Sequence, residues 1–227
     1  MMRIVLLPGA GGAAAYWDKV VPLLEAEGHE AVAVELPADD ETSGLPEYVE
    51  VAHAACAGAD ELLVVAQSMG GFTAVMLTDR LVREGRTVLG LVLLNAMVPA
   101  PGETPGAWWE AVGSEAARLE AAEAGGYATE FDLDTYFLHD LDEETTALLM
   151  QGGKDEVDAA FATPCAVEEW PDVPTRVVVG ADDRFFPLAL QQRVARERIG
   201  VEPTVVPGGH LAALSYPAEV ARALLLV

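Results

Sequence analysis

Three short segments carry residue types that could do nucleophilic chemistry. The first, Ala66-Gln67-Ser68-Met69-Gly70-Gly71, follows an apolar run and precedes a helical pattern. A serine on such a strand-to-helix turn is held with its hydroxyl proud of the backbone, and small residues two before and two after it let strand and helix approach. Taken alone, the segment also reads as an ordinary turn with a capping serine. The second segment, Gly180-Ala181-Asp182-Asp183-Arg184-Phe185-Phe186-Pro187, offers carboxylates after another apolar run. The third, Val206-Pro207-Gly208-Gly209-His210-Leu211, offers an imidazole. A serine whose proton goes to a histidine, itself held in one tautomer by a carboxylate, is the machinery of acyl transfer.

Within these segments Ser68 is the candidate nucleophile, His210 the base and Asp183 the orienting acid. Asp182 competes with Asp183, which is preferred because it lies three residues after Gly180 and four before Pro187, where a helix can start. Asn95, after the fourth apolar run, occupies the alternative acid position but cannot supply a charge. Of the other histidines, His29 and His53 fall in helix or loop contexts away from strand ends, and His139 lies in a long intervening segment. The chain order Ser68, Asp183, His210 suits a serine on such a turn.

The glycine-rich stretch Leu7-Pro8-Gly9-Ala10-Gly11-Gly12 ends the first apolar run and can donate a backbone N–H. Ala10 and Met69 are the expected oxyanion donors, each worth on the order of 3 kcal/mol in the transition state. The same stretch lacks the glycine spacing and the Lys-Ser/Thr of a phosphate-binding loop, and G-x-G-x-x-G is absent, so a nucleotide is not expected.

These segments need elements that hold them. Runs rich in Val, Ile and Leu recur at Arg3–Leu7, Ala31–Glu35, Leu62–Ala66, Val88–Leu94, Thr175–Val179 and Pro203–Val206. Near-continuous apolar runs suit strands buried on both faces of a parallel sheet. Helical spacing lies between them, as in Trp17, Val20, Val21 and Leu24, or Phe72, Val75, Met76 and Leu77 ahead of Arg80 and Arg83. The alternation predicts an α/β fold with a doubly wound, mainly parallel sheet of six strands. From about Pro99 to Pro174 no strand is read, but Trp108, Trp109, Tyr127, Phe131, Tyr136 and Phe137 recur. Residues 1–98 and 174–227 are therefore expected to form the core, and 99–173 a mostly helical cap inserted after the fourth strand. Placed at that end of the sheet, it reads as a lid over a pocket, although aromatics packing a subdomain of their own would look alike.

The chain has 227 residues, 52% of them hydrophobic, which is one domain's worth of core. Asp and Glu total 37 against 13 Lys and Arg, for a formal net charge of −24, so nucleic acid and anionic membrane surfaces are poor partners. Cys56 and Cys165, two thiols far apart in a chain of this size, read as reduced. The first strand begins at Arg3, leaving no room for a leader, and no apolar run nears the ~20 residues of a membrane span, so a cytoplasmic protein is expected. His and Cys show no metal-ligand spacing, and neither metal nor organic cofactor is implied.

With these residues in hand the chain resembles the α/β-hydrolase superfamily over nearly its whole length, and within it the compact branch of plant methylesterases and hydroxynitrile lyases with their bacterial relatives. The resemblance rests on Leu7-Pro8-Gly9-Ala10-Gly11, Trp17 with Pro22-Leu23-Leu24, Glu27-Gly28-His29, Ser68-Met69-Gly70-Gly71, Asp183 with Phe186-Pro187, and Gly209-His210 with Tyr216-Pro217. Pro8 stands where the branch usually has histidine, Ala66 where it has glycine and Glu35 where it commonly has Asp. Lyases of the branch use a hydroxyl residue at the position of Ala10 and a lysine after the histidine; Ala10 and Leu211 disfavour that route. The resemblance implies a serine esterase acting on a small, largely apolar ester, as monomer or homodimer, with Met97, Trp108, Trp109, Phe185, Phe186 and Leu211 as candidate pocket walls. A lyase, a cyclase or an idle ligand-binding relative would share the same scaffold.

Overall fold

A computed structural model of the protein describes residues 1–152 and 155–226. Its centre is a six-stranded sheet formed by β1 (Arg3–Leu7), β2 (Glu30–Ala33), β3 (Glu61–Gln67), β4 (Thr87–Leu94), β5 (Thr175–Gly180) and β6 (Thr204–Val206). The spatial order is β2-β1-β3-β4-β5-β6 and every pairing is parallel, as the apolar runs predicted. β2 lies one residue earlier than expected and closes at Ala33. Val34 still donates to Leu6, after which Leu36 bonds to Gly12 in the glycine-rich loop. β6 starts after Pro203, which has no N–H to give to a ladder.

Side-chain alternation along the strands builds two separate cores. Val5, Leu7, Leu62, Val64, Ala66, Leu91, Leu93, Val177 and Val179 face one side with α2 (Leu45–Ala55), α3 (Gly70–Arg83) and α8 (Leu188–Ile199). Ile4, Leu6, Leu63, Val65, Val92, Leu94 and Val178 face the other with α1 (Val21–Ala26), α9 (Ala212–Ser215) and α10 (Pro217–Leu225). Burying each valine, leucine or isoleucine among them stabilises the fold by about 1.5–3 kcal/mol. α3 is apolar along the face that meets the sheet and carries Arg80 and Arg83 in its last turn, where cations favour the helix dipole. The spacing from Trp17 to Leu24 is not one helix. A short 3-10 turn spans Ala14–Trp17 and α1 begins separately at Val21, because Pro22 lacks the donor a continuous helix would need.

Between β4 and β5 the described residues form α4 (Pro105–Ala111), α5 (Ser114–Gly125), a π-helical turn (Asp134–Leu138), α6 (Glu143–Gly152) and α7 (Asp158–Ala162). Their attachment to the core is partly ionic. Glu103, ahead of α4, holds Arg198 of α8, which also donates to the Val98 carbonyl; both side chains are largely buried. Cys56 and Cys165 are free and buried, and burial pushes their thiols up to about 11 and about 12. No helix of the described residues is long and apolar enough to cross a membrane, and no cluster of metal-ligating side chains occurs among them.

Candidate active site

The parallel order reverses between β1 and β3, and the carboxyl ends at such a switch point leave a crevice open to ligands. β3 delivers Ser68 there, immediately before α3. Ser68 has φ +51°, a conformation that non-glycine residues adopt only when the surroundings impose it. The imposition is visible: the Ser68 carbonyl accepts from Gly71 N–H at 3.1 Å and from Met97 N–H at 2.9 Å. Gly70 and Gly71 admit no side chain, since a Cβ would lie 2.2 Å from the Pro8 carbonyl oxygen and 2.1 Å from that of Met97 respectively.

The structure brings the three predicted residues into one hydrogen-bonded line. His210 Nε2 is 3.1 Å from Ser68 Oγ, and His210 Nδ1 is 2.9 Å from Asp183 Oδ2. All are buried: 8% of Ser68, 4% of Asp183 and none of His210 is exposed, so water competes little for these bonds. Asp183 is fixed on its other side. Its Oδ1 accepts from Phe185 N–H and Phe186 N–H at 2.9 and 2.8 Å, and Gln191 Nε2 donates to Oδ2 at 3.2 Å. Asp182, the rival, is exposed, and its backbone N–H donates to Gly208.

Met69 follows the serine directly, and Ala10 lies in the glycine-rich loop after Gly9. Among the described residues neither backbone N–H donates to a loop or turn acceptor. Gly9 brings the loop against the serine, since a Cβ there would lie 2.7 Å from Ser68 Cβ. Met69 N–H belongs to the start of α3, where the helix dipole favours a developing negative charge.

Of the expected pocket walls, Phe185 and Phe186 stack on each other and set their ring centroids 5.1 and 5.0 Å from His210. Trp109 packs on both phenylalanines and Trp108 on Phe186. Met97 and Trp108 are buried in the core, with Trp108 Nε1 donating to Val98. Leu211, 8% exposed, belongs to the opposite core. Phe137 of the π-helical turn, named among the aromatics of the segment but not among the expected pocket walls, lies 4.9 Å from His210, edge to face. None of these residues borders the apolar cavity of about 170 Å³ that opens beside Ala13, Lys19, Leu148, Leu149 and Leu214.

Asn95 was legible only as a position that cannot supply a charge. It is fully buried at φ +45°, accepts from Gly180 N–H at 2.6 Å, and donates to the carbonyls of Gly209 and His210 at 2.9 and 3.2 Å. Gln191, and Asp140, which accepts from Gly209 N–H at 2.7 Å, were likewise not signalled by local sequence.

His139 packs against Gly209 with both ring nitrogens buried and unpartnered, and Asp140, Arg184, Asp182 and Asp183 are the charges that act on it. Burial holds its pKa below the ordinary imidazole value of about 6.5. A depressed folded pKa means that stability is present above the unfolded value and is lost as pH falls through the folded one. Thermal melts between about pH 7 and 5 should therefore show Tm falling more steeply for the wild type than for His139→Phe; parallel slopes would mean that the ring is solvated when charged.

The profile of the Alpha/beta hydrolase family matches residues 4–223. The chain belongs to this family. It is 27% identical over 97% of its length to the pyrethroid hydrolase of Sphingobium wenxiniae, covering 85% of that protein. It is 24% identical to norfluorocurarine synthase 1 of Strychnos, covering 98% of this chain and 93% of that one. Among solved structures, polyneuridine aldehyde esterase superposes with TM-score 0.77 at 19% identity over 99% and 98% of the two chains. A methylesterase from Arabidopsis superposes with TM-score 0.76 at 17% identity over the same shares.

Proposed function

We propose that this α/β-hydrolase is a serine esterase that cleaves a small, largely apolar ester through an acyl-enzyme. The continuous Ser68–His210–Asp183 line, in a site from which water is largely excluded, carries this reading. Ser68 Oγ attacks the ester carbonyl as its proton passes to His210 Nε2. Asp183 keeps the proton of Nδ1 on that nitrogen and stabilises the imidazolium. The tetrahedral oxyanion accepts from Ala10 and Met69 N–H, and its collapse expels the alcohol, which takes the proton back from His210. Water, deprotonated by His210, then hydrolyses the acyl-serine. The aromatic rings around His210 favour an apolar acyl or alcohol group over a charged one. Cyanohydrin cleavage is disfavoured by Ala10 and Leu211, neither of which carries a hydroxyl or amine. A non-hydrolytic reaction on the same residues is the second reading, and the 24% identity to norfluorocurarine synthase 1 is what favours it.

Hydrolysis of short-chain p-nitrophenyl esters by wild type and Ser68→Ala, with fluorophosphonate labelling, tests the reading. Labelling at Ser68 and a loss on the order of 10⁴–10⁶ in kcat in the variant are expected. An unlabelled serine, or a variant as active as wild type, would overturn it.

A further inference from the structure

The loop that presents Ala10 has few means of holding its own shape. Pro8 has no N–H, and Gly11 and Gly12 are consecutive left-handed residues, at φ +83° and +65°. Gly12 is fixed from both sides: its N–H donates to Gly9, and its carbonyl accepts from Leu36. The Gly11 amide has a different anchor. It donates at 2.8 Å to Oε2 of Glu156, 145 residues away in the segment that leads into α7. The second Glu156 oxygen accepts from the phenol of Tyr48 on α2, a side chain 1% exposed. The backbone of the same segment is tied separately, Val157 N–H donating to Ala38 at 3.0 Å. Glu156 is more than half buried, and burial pushes its carboxyl pKa up while the bonds from Tyr48 and Gly11 act in the opposite direction. Burying a carboxylate for stability alone is a poor use of the site, since an apolar side chain there would cost less. Its two acceptor oxygens instead join the helical segment, α2 and the glycine-rich loop at one point.

Resting on the esterase reading, we propose that Glu156 is a positioning residue that pins the Ala10–Gly11 peptide, and so keeps the Ala10 amide aimed at the oxyanion, by way of the segment between β4 and β5. Released from Glu156, Ala10 is held only between the two glycines Gly9 and Gly11, whose backbone torsions are soft, and the Ala10 N–H loses its alignment while Ser68, His210 and Asp183 stay in place. The reaction is then slowed at the transition state without weakening of ground-state binding.

Glu156→Ala, Glu156→Gln and wild type should be compared by steady-state hydrolysis of p-nitrophenyl butyrate and by the ¹H–¹⁵N resonance of the Gly11 amide. Glu156→Ala is expected to lower kcat by about 10- to 100-fold with KM within about two-fold, somewhat less than the loss of a whole oxyanion donor. Glu156→Gln keeps one acceptor oxygen for Gly11 and should recover most of that loss. The Gly11 amide should shift upfield in Glu156→Ala and stay near its wild-type position in Glu156→Gln. A change in KM alone, an unchanged kcat, or a glutamine variant as slow as alanine would overturn the proposal. Wild-type inactivity towards esters would count against the esterase reading only. The Gly11 resonance then decides on Glu156: no shift in the alanine variant sinks the clamp. Should Glu156→Ala fail to fold, an unmoved kcat and Gly11 resonance in Glu156→Met, which fills the same volume without an acceptor oxygen, would do the same.

Discussion

Asp183→Asn is expected to lower kcat on the order of 10⁴-fold while keeping the fold, with Tm lowered by only a few degrees because Gln191 Nε2 loses its acceptor at Oδ2. The argument lies in which way the new amide must face. Asp183 Oδ1 accepts from two backbone N–H groups, Phe185 and Phe186, so the asparagine oxygen has to stay on that side. Its NH₂ is then turned to the position of Oδ2, where the Gln191 amide and His210 Nδ1 lie. Only the tautomer with an unprotonated Nδ1 can accept from that NH₂. The ring proton moves to Nε2 and points at Ser68 Oγ, 3.1 Å away, which can no longer hand its own proton to the base. Ester kinetics together with the imidazole ¹⁵N shifts of His210 check this. An active variant with its proton still on Nδ1 would mean that another group orients the ring, and the Asp183 assignment would fall.

Gly70→Ala should destabilise the protein by about 3 kcal/mol, roughly 10 °C in Tm for a chain of this size, and should remove activity in the fraction that remains folded. The added methyl would lie 2.2 Å from the Pro8 carbonyl oxygen and 3.3 Å from that of Leu7, both backbone atoms at the end of β1. No rotamer change relieves such a contact, so either α3 or the glycine-rich loop has to move, and both carry expected oxyanion donors. Gly85→Ala is the matched control. Its φ of +75° strains an alanine, but nothing lies within 4 Å, and about 1 kcal/mol is expected. Equal melting temperatures for the two variants would show that the loop yields freely.

Ser68 and Asp183 could be picked out as candidates because each follows a strand largely buried in the sheet, whose composition is unmistakable, whereas β6 exposes Thr204 and Val205 and it is the Pro207-Gly208-Gly209 turn that marks out His210. Turn chemistry then narrows the choice to one or two residues per strand end. The same locality explains what was hidden. Glu156 meets Gly11 and Tyr48 from 145 and 108 residues away along the chain, Asp140 reaches Gly209 from the helical segment, and nothing in the residues around any of them announces a partner. Phe137 was visible as one aromatic among several, but only the π-helical turn decides that it, and not Trp108, lies against the imidazole. The break at Pro22 was written in the sequence, yet periodicity alone joined Trp17 to Leu24 because apolar residues on the two sides of the break enter the same core.

The planar amide of Asn95 bears on how this scaffold can diverge. Because its oxygen meets an N–H at the end of β5 and its nitrogen meets two carbonyls of the histidine loop, it adds a rigid link between β5 and that loop to the direct bond from Asp182 N–H to Gly208. A carboxylate in its place would confront the carbonyl oxygens of Gly209 and His210 at hydrogen-bond distance, with no proton to share. An acid at position 95 would therefore need a histidine loop rebuilt to offer N–H groups where those two carbonyls now stand.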